Sequence, residues 1–373
     1  MSEIHFAWTQ PGAAYRFRAG VSLHSHTSLS EESLDIIPRY TEKVPYLGKA
    51  IREQQRLYFE RYGQHLDFGR GFWTPPLSPR QAWDLELSQI QRLGLRPFVS
   101  LTDHDNLHAS YQLRVLGFQA PVSLEWSVPF RSTFFHVGVH NLPASKGHEI
   151  AGRLASYTLQ PTSSLLTELL ADLNAEPGVL LILNHPFWDE SGIGESEHAN
   201  TLGAFLERHG RAFHALELNG LRPWPENRRV AWLARQSGMP LISGGDRHGC
   251  EANSLINLTN AATFEEFVAE VRQDRHSTIL FMPQHKETIR LRFVQTMWDV
   301  MRDYPEHPKE RQHWADRVFY RSDCGASIPV SHFMTGKEPA IVKQFSRLIR
   351  LVESRRVQGV LRFALNDGEQ ALI

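Results

Sequence analysis

From about residue 19 to 282, short continuous apolar runs alternate with segments in which apolar residues recur every three or four positions. The runs Gly20 to Leu23, Pro97 to Leu101, Pro121 to Leu124, Phe134 to Val139, Val179 to Leu183, Ala215 to Leu218 and Pro240 to Ser243 read as strands buried on both faces, the habit of a parallel sheet. Helices fall between many of them. Ser78-Pro79-Arg80-Gln81 supplies an N-cap Ser, Pro at the first helical position and Gln three residues after the Ser. Trp83, Leu87, Ile90 and Leu93 continue as a helical stripe that Gly94 stops. Leu165, Leu166, Leu169, Leu170 and Leu173 form another stripe, and Thr263-Phe264-Glu265-Glu266 is a second capping box ahead of Phe267, Val268 and Val271. The stripes are core packing, and their alternation with strands predicts a parallel sheet or barrel.

Two regions break the rhythm. Residues 33–77 read as an insertion after the first strand, helical from Tyr46 to Tyr62 and loop from Gly63 to Pro76. Residues 283–373 read as a mostly helical C-terminal extension, with Val342 to Val357 its clearest helix. The expected organisation is a barrel domain over 1–282 followed by the extension over 283–373.

Composition removes several function classes. Lys plus Arg is 40 and Asp plus Glu is 41, so no global basic field draws in nucleic acid or an anionic membrane. No run approaches the roughly 18 apolar residues of a membrane span. The N-terminus, Met1-Ser2-Glu3-Ile4-His5-Phe6, lacks the pattern of a signal peptide. Cys250 and Cys324 are the only cysteines, so a reducing cytosol is the simpler expectation than a disulfide framework. The unusual count is 19 His, more than twice the 9 Tyr.

Position gives the histidines meaning. His24 and His26 end the first strand, and residues two apart in a strand share a side. Thr102-Asp103-His104-Asp105, Glu125, Asn184-His185-Pro186 and Gly245-Asp246-Arg247-His248 each follow another apolar run. Strand ends are where parallel α/β folds build sites. One such residue alone is better read as a capped strand end or a core histidine. Five strand ends carrying His, Asp or Glu into one cavity would be costly without a compensating cation. Imidazole and carboxylate donors without cysteine suit Zn, Mn or Fe.

These residues carry a resemblance. The order His-x-His, Thr-Asp-His, Glu, His, His-Pro and Gly-Asp-x-His, over residues 20 to about 250, resembles the PHP (polymerase and histidinol phosphatase) family of metal-dependent phosphoesterases. The resemblance implies a distorted (β/α)7 TIM-like barrel holding two or three divalent ions. It implies that His24, His26, Glu125 and Asp246 hold the first ion, and that Glu125 bridges to a second held by His136 and His185. His104 and His248 would hold a third with an acidic residue. The family reads Ser-Asp-Gly where this chain reads Ser30-Glu31-Glu32, so Glu31 takes the Asp place, with Glu32 the fallback. The family's ligand falls at His136 rather than His140, which reads as a strand-end histidine.

The expected activity is hydrolysis of a phosphate ester of a small metabolite or nucleotide by a metal-bridging hydroxide between ions roughly 3.5–4 Å apart. Arg247, between two ligands, either stabilises phosphoryl charge or points away from the cavity to a surface carboxylate. Arg222 is a further candidate for substrate contact. Asp103 orients a ligand imidazole or shuttles a proton, and Asn219 contacts substrate or caps its strand. Trp73, Phe72 and Trp188 either stack on substrate or pack. Arg52, Arg56, Arg61 and Arg70 form a local basic patch that keeps a nuclease acting on single-stranded ends as the alternative. An amidohydrolase-type C–N hydrolase would want a bridging lysine, and no strand end carries one. A non-catalytic metal-binding module is the remaining reading.

Overall fold

The computed structural model of the protein describes residues 2–35, 37–38, 45–63 and 65–333. Fourteen strands are described: β1 (Ser2–Phe6), β2 (Ala19–Ser22), β3 (Glu32–Ser33), β4 (Gly71–Trp73), β5 (Arg96–Val99), β6 (Val122–Phe130), β7 (Thr133–Leu142), β8 (Leu180–Asn184), β9 (Ala215–Asn219), β10 (Leu241–Gly244), β11 (Leu255–Thr259), β12 (Ser277–Phe281), β13 (Val318–Arg321) and β14 (Ser327–Pro329). The α-helices are α1 (Pro45–Tyr62), α2 (Pro79–Arg92), α3 (His108–Val115), α4 (Gly147–Leu159), α5 (Ser163–Ala175), α6 (Glu195–His209), α7 (Trp224–Ser237), α8 (Phe264–Arg272) and α9 (Ile289–Met301). Each of the seven apolar runs lies within or overlaps a strand.

Local chemistry explains the helices. Ser78 Oγ accepts from the Gln81 amide and Gln81 Oε1 accepts from the Ser78 amide, closing the capping box of α2. Gly94, at φ +77°, turns the chain out of it. At α8 only half the expected box forms. Thr263 Oγ1 accepts from the Glu266 amide, but the Glu266 carboxylate takes the Ala262 amide instead. The stripes face the core, with Ile90, Leu166, Leu169, Leu170, Leu173, Phe267 and Val271 all buried.

The architecture is mixed α/β, and no described sheet closes into a barrel. The strand orders are β1-β12-β11-β2-β5, β10-β9-β8-β7-β6 and β14-β13-β4-β3. The all-parallel expectation also needs correction. β7 runs antiparallel to both β6 and β8, and β11 runs antiparallel to both β12 and β2. Only Arg131 and Ser132 join β6 to β7, far too few for a crossover helix, and Arg131 sits at φ +54°.

The two five-stranded sheets meet edge to edge beyond their strand ends. On one side the Glu125 amide donates to Asp103 O at 3.2 Å, and the Asp105 amide donates to Glu125 O at 2.8 Å. On the other, Gly245 donates to Leu23 O, Asp246 to His24 O and His26 to Arg247 O at 2.7–2.9 Å. The first seam sets the end of β5 against Glu125 of β6, and the second joins the segments that follow β2 and β10.

The third sheet joins the insertion to the C-terminal extension. β4 pairs with β3 on one side and with β13 on the other. Among the described residues of the extension only α9 is α-helical, followed by short 3-10 turns, β13 and β14. Val342 to Val357 lies outside the described residues. No helix among those described is long and apolar enough to cross a membrane.

Arg317 pins this extension. It is fully buried, and its guanidinium donates to the carbonyls of Arg311, Gln312, Val300 and Arg302. Replacing it with Met strips one buried carbonyl, that of Val300, and three part-buried ones of their donor, so Arg317→Met is expected to cost about 3 kcal/mol of stability. A urea denaturation midpoint unchanged from wild type would refute this anchoring role.

Candidate metal centre

Glu125 lies at the middle of the site because the seam between β5 and β6 fixes its backbone. Five imidazoles surround its carboxylate. His24 Nε2 is 2.9 Å from Oε2, His26 Nε2 3.2 Å and His104 Nε2 3.5 Å, while His185 Nε2 is 3.3 Å and His136 Nδ1 3.5 Å from Oε1. Asn184 Nδ2 donates to Oε1 at 2.8 Å and steadies the group. Asp246 Oδ1 lies 3.6 Å from His24 Nε2, 3.5 Å from His26 Nε2 and 3.5 Å from His248 Nδ1.

A second carboxylate completes the other flank. Glu32 Oε2 is 3.1 Å from His248 Nε2 and 3.3 Å from His104 Nε2, and its Oε1 is 3.5 Å from His26 Nδ1. The expected Glu31 is exposed and pairs with Arg321 instead. Strand alternation decides between them. β3 begins at Glu32, opposite Trp73 of β4, so the neighbouring Glu31 falls on the other face. Of the nine expected ligands the structure brings together His24, His26, His104, Glu125, His136, His185, Asp246 and His248, with Glu32 in the place given to Glu31.

The grouping also differs from the expected one. Donor atoms cluster as His26, Glu32, His104 and His248; as His24, His26 and Glu125; as His24, His185 and Asp246; and as His104, Glu125 and His136. His185 therefore sits with His24 and Asp246 as well as with Glu125, and His104 stands between two clusters.

Electrostatics follow from burial and charge. Burial works against a charged His24, but Glu125, Glu217 and Asp246 outweigh it and hold its pKa well above the usual imidazole value. Burial likewise opposes a charged His104, and Glu32 with Glu125 raises it. The carboxyls of Glu125, Asp246 and Glu32 are disfavoured as anions by burial, yet the surrounding imidazoles hold all three well below the usual range. His136 goes the other way: burial, with help from neighbouring imidazoles, keeps it neutral. Without a cation, protonated histidines are the countercharge of these carboxylates. Within the candidate ligand set, two buried atoms make no hydrogen bond to the described residues, His26 Nε2 and Glu32 Oε1. Orphaned donors and acceptors at the centre of an imidazole–carboxylate set fit divalent cations.

Supporting contacts orient the rings. Glu217 was not singled out by the strand-end pattern, because it lies within β9. Its Oε1 is 2.5 Å from His24 Nδ1, and its Oε2 accepts from the His185 amide at 2.9 Å. The detectable signal was an ionisable residue inside a buried apolar run, on the same face as Asn219. Asn219 caps its strand end by accepting from the Leu221 amide, and its Nδ2 donates to Glu217 Oε2 and to Asp246 Oδ2. Asp103 accepts from the Thr27 amide at 2.6 Å and from Thr27 Oγ1 at 2.7 Å, so it holds the turn that follows His26. Arg247 is buried with its Nε 3.2 Å from Glu86, and it donates to Gly249 O and His26 O. Arg247 is thus directed at a carboxylate, but the partner is the buried Glu86 and not the surface carboxylate expected.

Arg222 behaves differently. Its guanidinium stacks 3.6 Å from the Trp188 ring centroid, its Nη2 lies 3.9 Å from Asp246 Oδ2, and its buried Nε has no hydrogen-bond partner among the described residues. Trp73 packs against His248 with ring centroids 5.7 Å apart, and Phe72 stacks on Phe319 at 5.1 Å. His140 is buried and bonded to Ser100, and burial pushes it down to about 3, so it is a neutral core histidine.

The backbone is bent at the ligands. His24, His185 and Asp246 have φ of +61°, +25° and +54°, three of the seven non-glycine residues with positive φ among those described. Such conformations cost of order 1–3 kcal/mol each and cluster at functional sites. Gly244 is required beside them, because a Cβ there would overlap the Glu217 carboxylate and meet His24 Cβ at 3.0 Å.

No protein-family model matches the chain, and neither does any curated protein. Among solved structures, PsfC from Pseudomonas syringae is 14% identical, over 76% of this chain and 98% of that one, with a TM-score of 0.43. A candidate metal-dependent phosphoesterase from Bifidobacterium adolescentis is 12% identical, over 53% of this chain and 92% of that one, with a TM-score of 0.32. An amidohydrolase from Chromobacterium violaceum, solved with sulfate and no metal, is 13% identical over 62% of this chain and 88% of that one, with a TM-score of 0.34. Likenesses this loose carry no inference about the site.

The two adjacent glutamates separate sharply in a metal measurement. Glu32→Ala is expected to lower the metal content of the purified protein by about one equivalent, and Glu31→Ala to leave it intact. Equal losses from both variants, read by elemental analysis, would overturn the assignment of Glu32.

Proposed function

We propose that the protein is a metal-dependent hydrolase of the PHP kind, acting on the phosphate ester of a small metabolite or nucleotide. One observation supports this above the others. A single buried carboxylate, Glu125, is ringed by five imidazoles and flanked by Asp246 and Glu32, and among the described residues His26 Nε2 and Glu32 Oε1 are in charge contact but make no hydrogen bond.

His24, His26, Glu125, His136, His185 and Asp246 would hold one or two divalent ions, and Glu32, His104 and His248 a further one. Zn, Mn and Fe suit this donor set. Bound there, such ions supply an acidified water and neutralise charge on the phosphoryl oxygens. The chain's own residues do the rest. Glu217 and Asn219 fix the rings and carboxylates in place, as outer contacts of metal ligands commonly do. Asp103 and Arg247 act as positioning residues for the His26 segment. Arg222, held flat on Trp188 beside Asp246 and with its Nε 4.0 Å from Glu226 Oε1, is the guanidinium suited to donate to a phosphoryl oxygen.

A small substrate is favoured over a nucleic-acid strand. The Arg56 guanidinium is paired with Glu53 and Glu60, and Arg70 is paired with Asp323, so the basic patch is partly neutralised.

The test is elemental analysis of the purified protein, then a phosphoester panel with Mn and Zn added back. His26→Ala is expected to lose metal and turnover together, with kcat/KM down by at least about a hundredfold. A His26→Ala protein with full metal content and turnover would sink the site assignment. A metal-loaded wild type that hydrolyses no phosphoester would make this a metal-binding module rather than an enzyme.

A further inference from the structure

A cleft adjoins the metal centre between the loop from Gly245 to Ser254 and helix α9 of the C-terminal extension. His248, one of the metal-centre imidazoles, lines it together with Arg292, Gln295 and Glu251. Arg292 is the unexplained group in it. A guanidinium has five N–H donors. One Nη2 hydrogen goes to Ser254 Oγ at 3.0 Å, and one on Nη1 goes to His285 Nδ1 at 3.4 Å. Nε has no hydrogen-bond partner among the described residues, and no carboxylate there lies within ion-pair distance of the group. Burial lowers the Arg292 pKa to about 10, with Glu251 and Glu287 opposing from farther away. It therefore stays charged at neutral pH. His285 is driven down to about 3 by burial and by Arg292 itself, so it stays a neutral acceptor and adds no competing charge.

Arg317 shows what a structural arginine looks like in this chain: both of its terminal nitrogens are spent, on four carbonyls, although its Nε, like that of Arg292, has no hydrogen-bond partner among the described residues. Arg292 makes only two contacts through its terminal nitrogens and no ion pair among the described residues, which leaves one edge, its buried Nε and the neighbouring Nη2 hydrogen, unspent. That edge is the geometry that accepts a carboxylate or phosphate through two parallel hydrogen bonds. Two carboxylates share the cleft: the Glu251 side chain, whose pKa is raised chiefly by loss of water around the carboxyl, and Asp299, which is already engaged by the Cys250 amide and faces Arg302.

We propose that this cleft binds a second anionic group of the substrate, a carboxylate or a phosphate, and that Arg292 is the residue that recognises it. The proposal rests on the reading of the chain as a phosphoester hydrolase. The ester's phosphate would lie at the metal centre and the second anion past His248. It also gives the C-terminal extension a part in choosing the substrate.

The test is calorimetric titration of the metal-loaded protein with ethyl phosphate, phosphoglycolate and ethylene glycol bisphosphate. These carry a phosphate alone, a phosphate with a carboxylate, and two phosphates. Wild type is expected to bind at least one two-group probe about tenfold more tightly than ethyl phosphate. The probe that gains identifies the anion. Arg292→Met is expected to lose that advantage and Arg292→Lys to keep part of it, since Lys retains the charge without the fork. Equal wild-type affinities for all three probes would overturn the proposal, as would an advantage that survives in Arg292→Met. So would a uniform weakening of all three probes, which marks a merely structural role. Should the Met variant fail to fold, an undiminished advantage in Arg292→Lys also counts against it. Binding rather than turnover is the readout. A protein that binds these probes with an Arg292-dependent advantage yet hydrolyses no phosphoester sinks the hydrolase reading and leaves the subsite standing.

Discussion

The burial of Glu125 is the constraint on which the rest of the site depends. A carboxylate without access to water is stable only if positive charge or donors surround it. Here the seam between β5 and β6 holds its backbone, and the strand ends of β2, β5 and β8 together with β7 turn five imidazoles toward it. Asp246 and Glu32 add two more acidic groups to the same space. Protonated imidazoles can balance this charge only by placing cations side by side. His26 stacks between His104 and His248 with ring centroids 4.7 and 4.2 Å away. Divalent ions relieve that crowding, because they let the rings act as neutral donors. The site's shape is thus better explained by cations it is built to hold than by the hydrogen bonds among its own residues.

Holding so many ligands at one point demands support, and the supports are polar and buried. Glu217 contacts a ring nitrogen of His24 and the backbone of His185 at once, so one carboxylate sets the position of two ligands from different strands. Arg247 and Glu86 form a buried pair behind His26, and the Glu86 carboxylate also receives Ser22 Oγ and the Asn253 amide. A pair of this kind is poor evidence for stability but good evidence for fixed geometry. The positive φ angles at His24, His185 and Asp246 belong to the same account. The chain leaves each strand sharply enough to turn its side chain inward, and the strain is borne by the seams and by Glu217.

Much of this was legible in the residues, and the parts that were not have physical reasons. Strand positions could be read because continuous apolar runs mark strands buried on both faces. Strand direction could not, since an apolar run looks the same in either sense, and the two-residue link at Arg131 and Ser132 carries no Gly or Asn to announce a hairpin. The ionisable side chains that the structure gathers at the strand ends were readable because such a residue after an apolar run is conspicuous. Glu217 was not, because its neighbours made it look like an interruption within a core strand. Glu31 and Glu32 differ by one position, and only the pairing of β3 with β4 sets which one faces inward. That pairing spans some forty residues of sequence, and no local pattern encodes it.

The same pairing gives the segments outside the two main sheets a part in the site. Glu32 reaches the metal centre from β3, which is held by β4, which is held in turn by β13 of the C-terminal extension. Arg311 adds a further tie from the extension to Thr74 and Pro75 just after β4. The carboxylate that completes the His104 and His248 flank therefore depends on residues nearly three hundred positions away. The first flank has no such dependence, since His24, Glu125, His185 and Asp246 all come from the two five-stranded sheets and the segments between them. A cation on the Glu32 flank would be sensitive to the packing of the extension, whereas one at Glu125 would not. Because Arg292 belongs to the same extension, the segment that steadies the outer ligand also lines the neighbouring cleft. In this chain ligand completion and the shape of that cleft are mechanically joined.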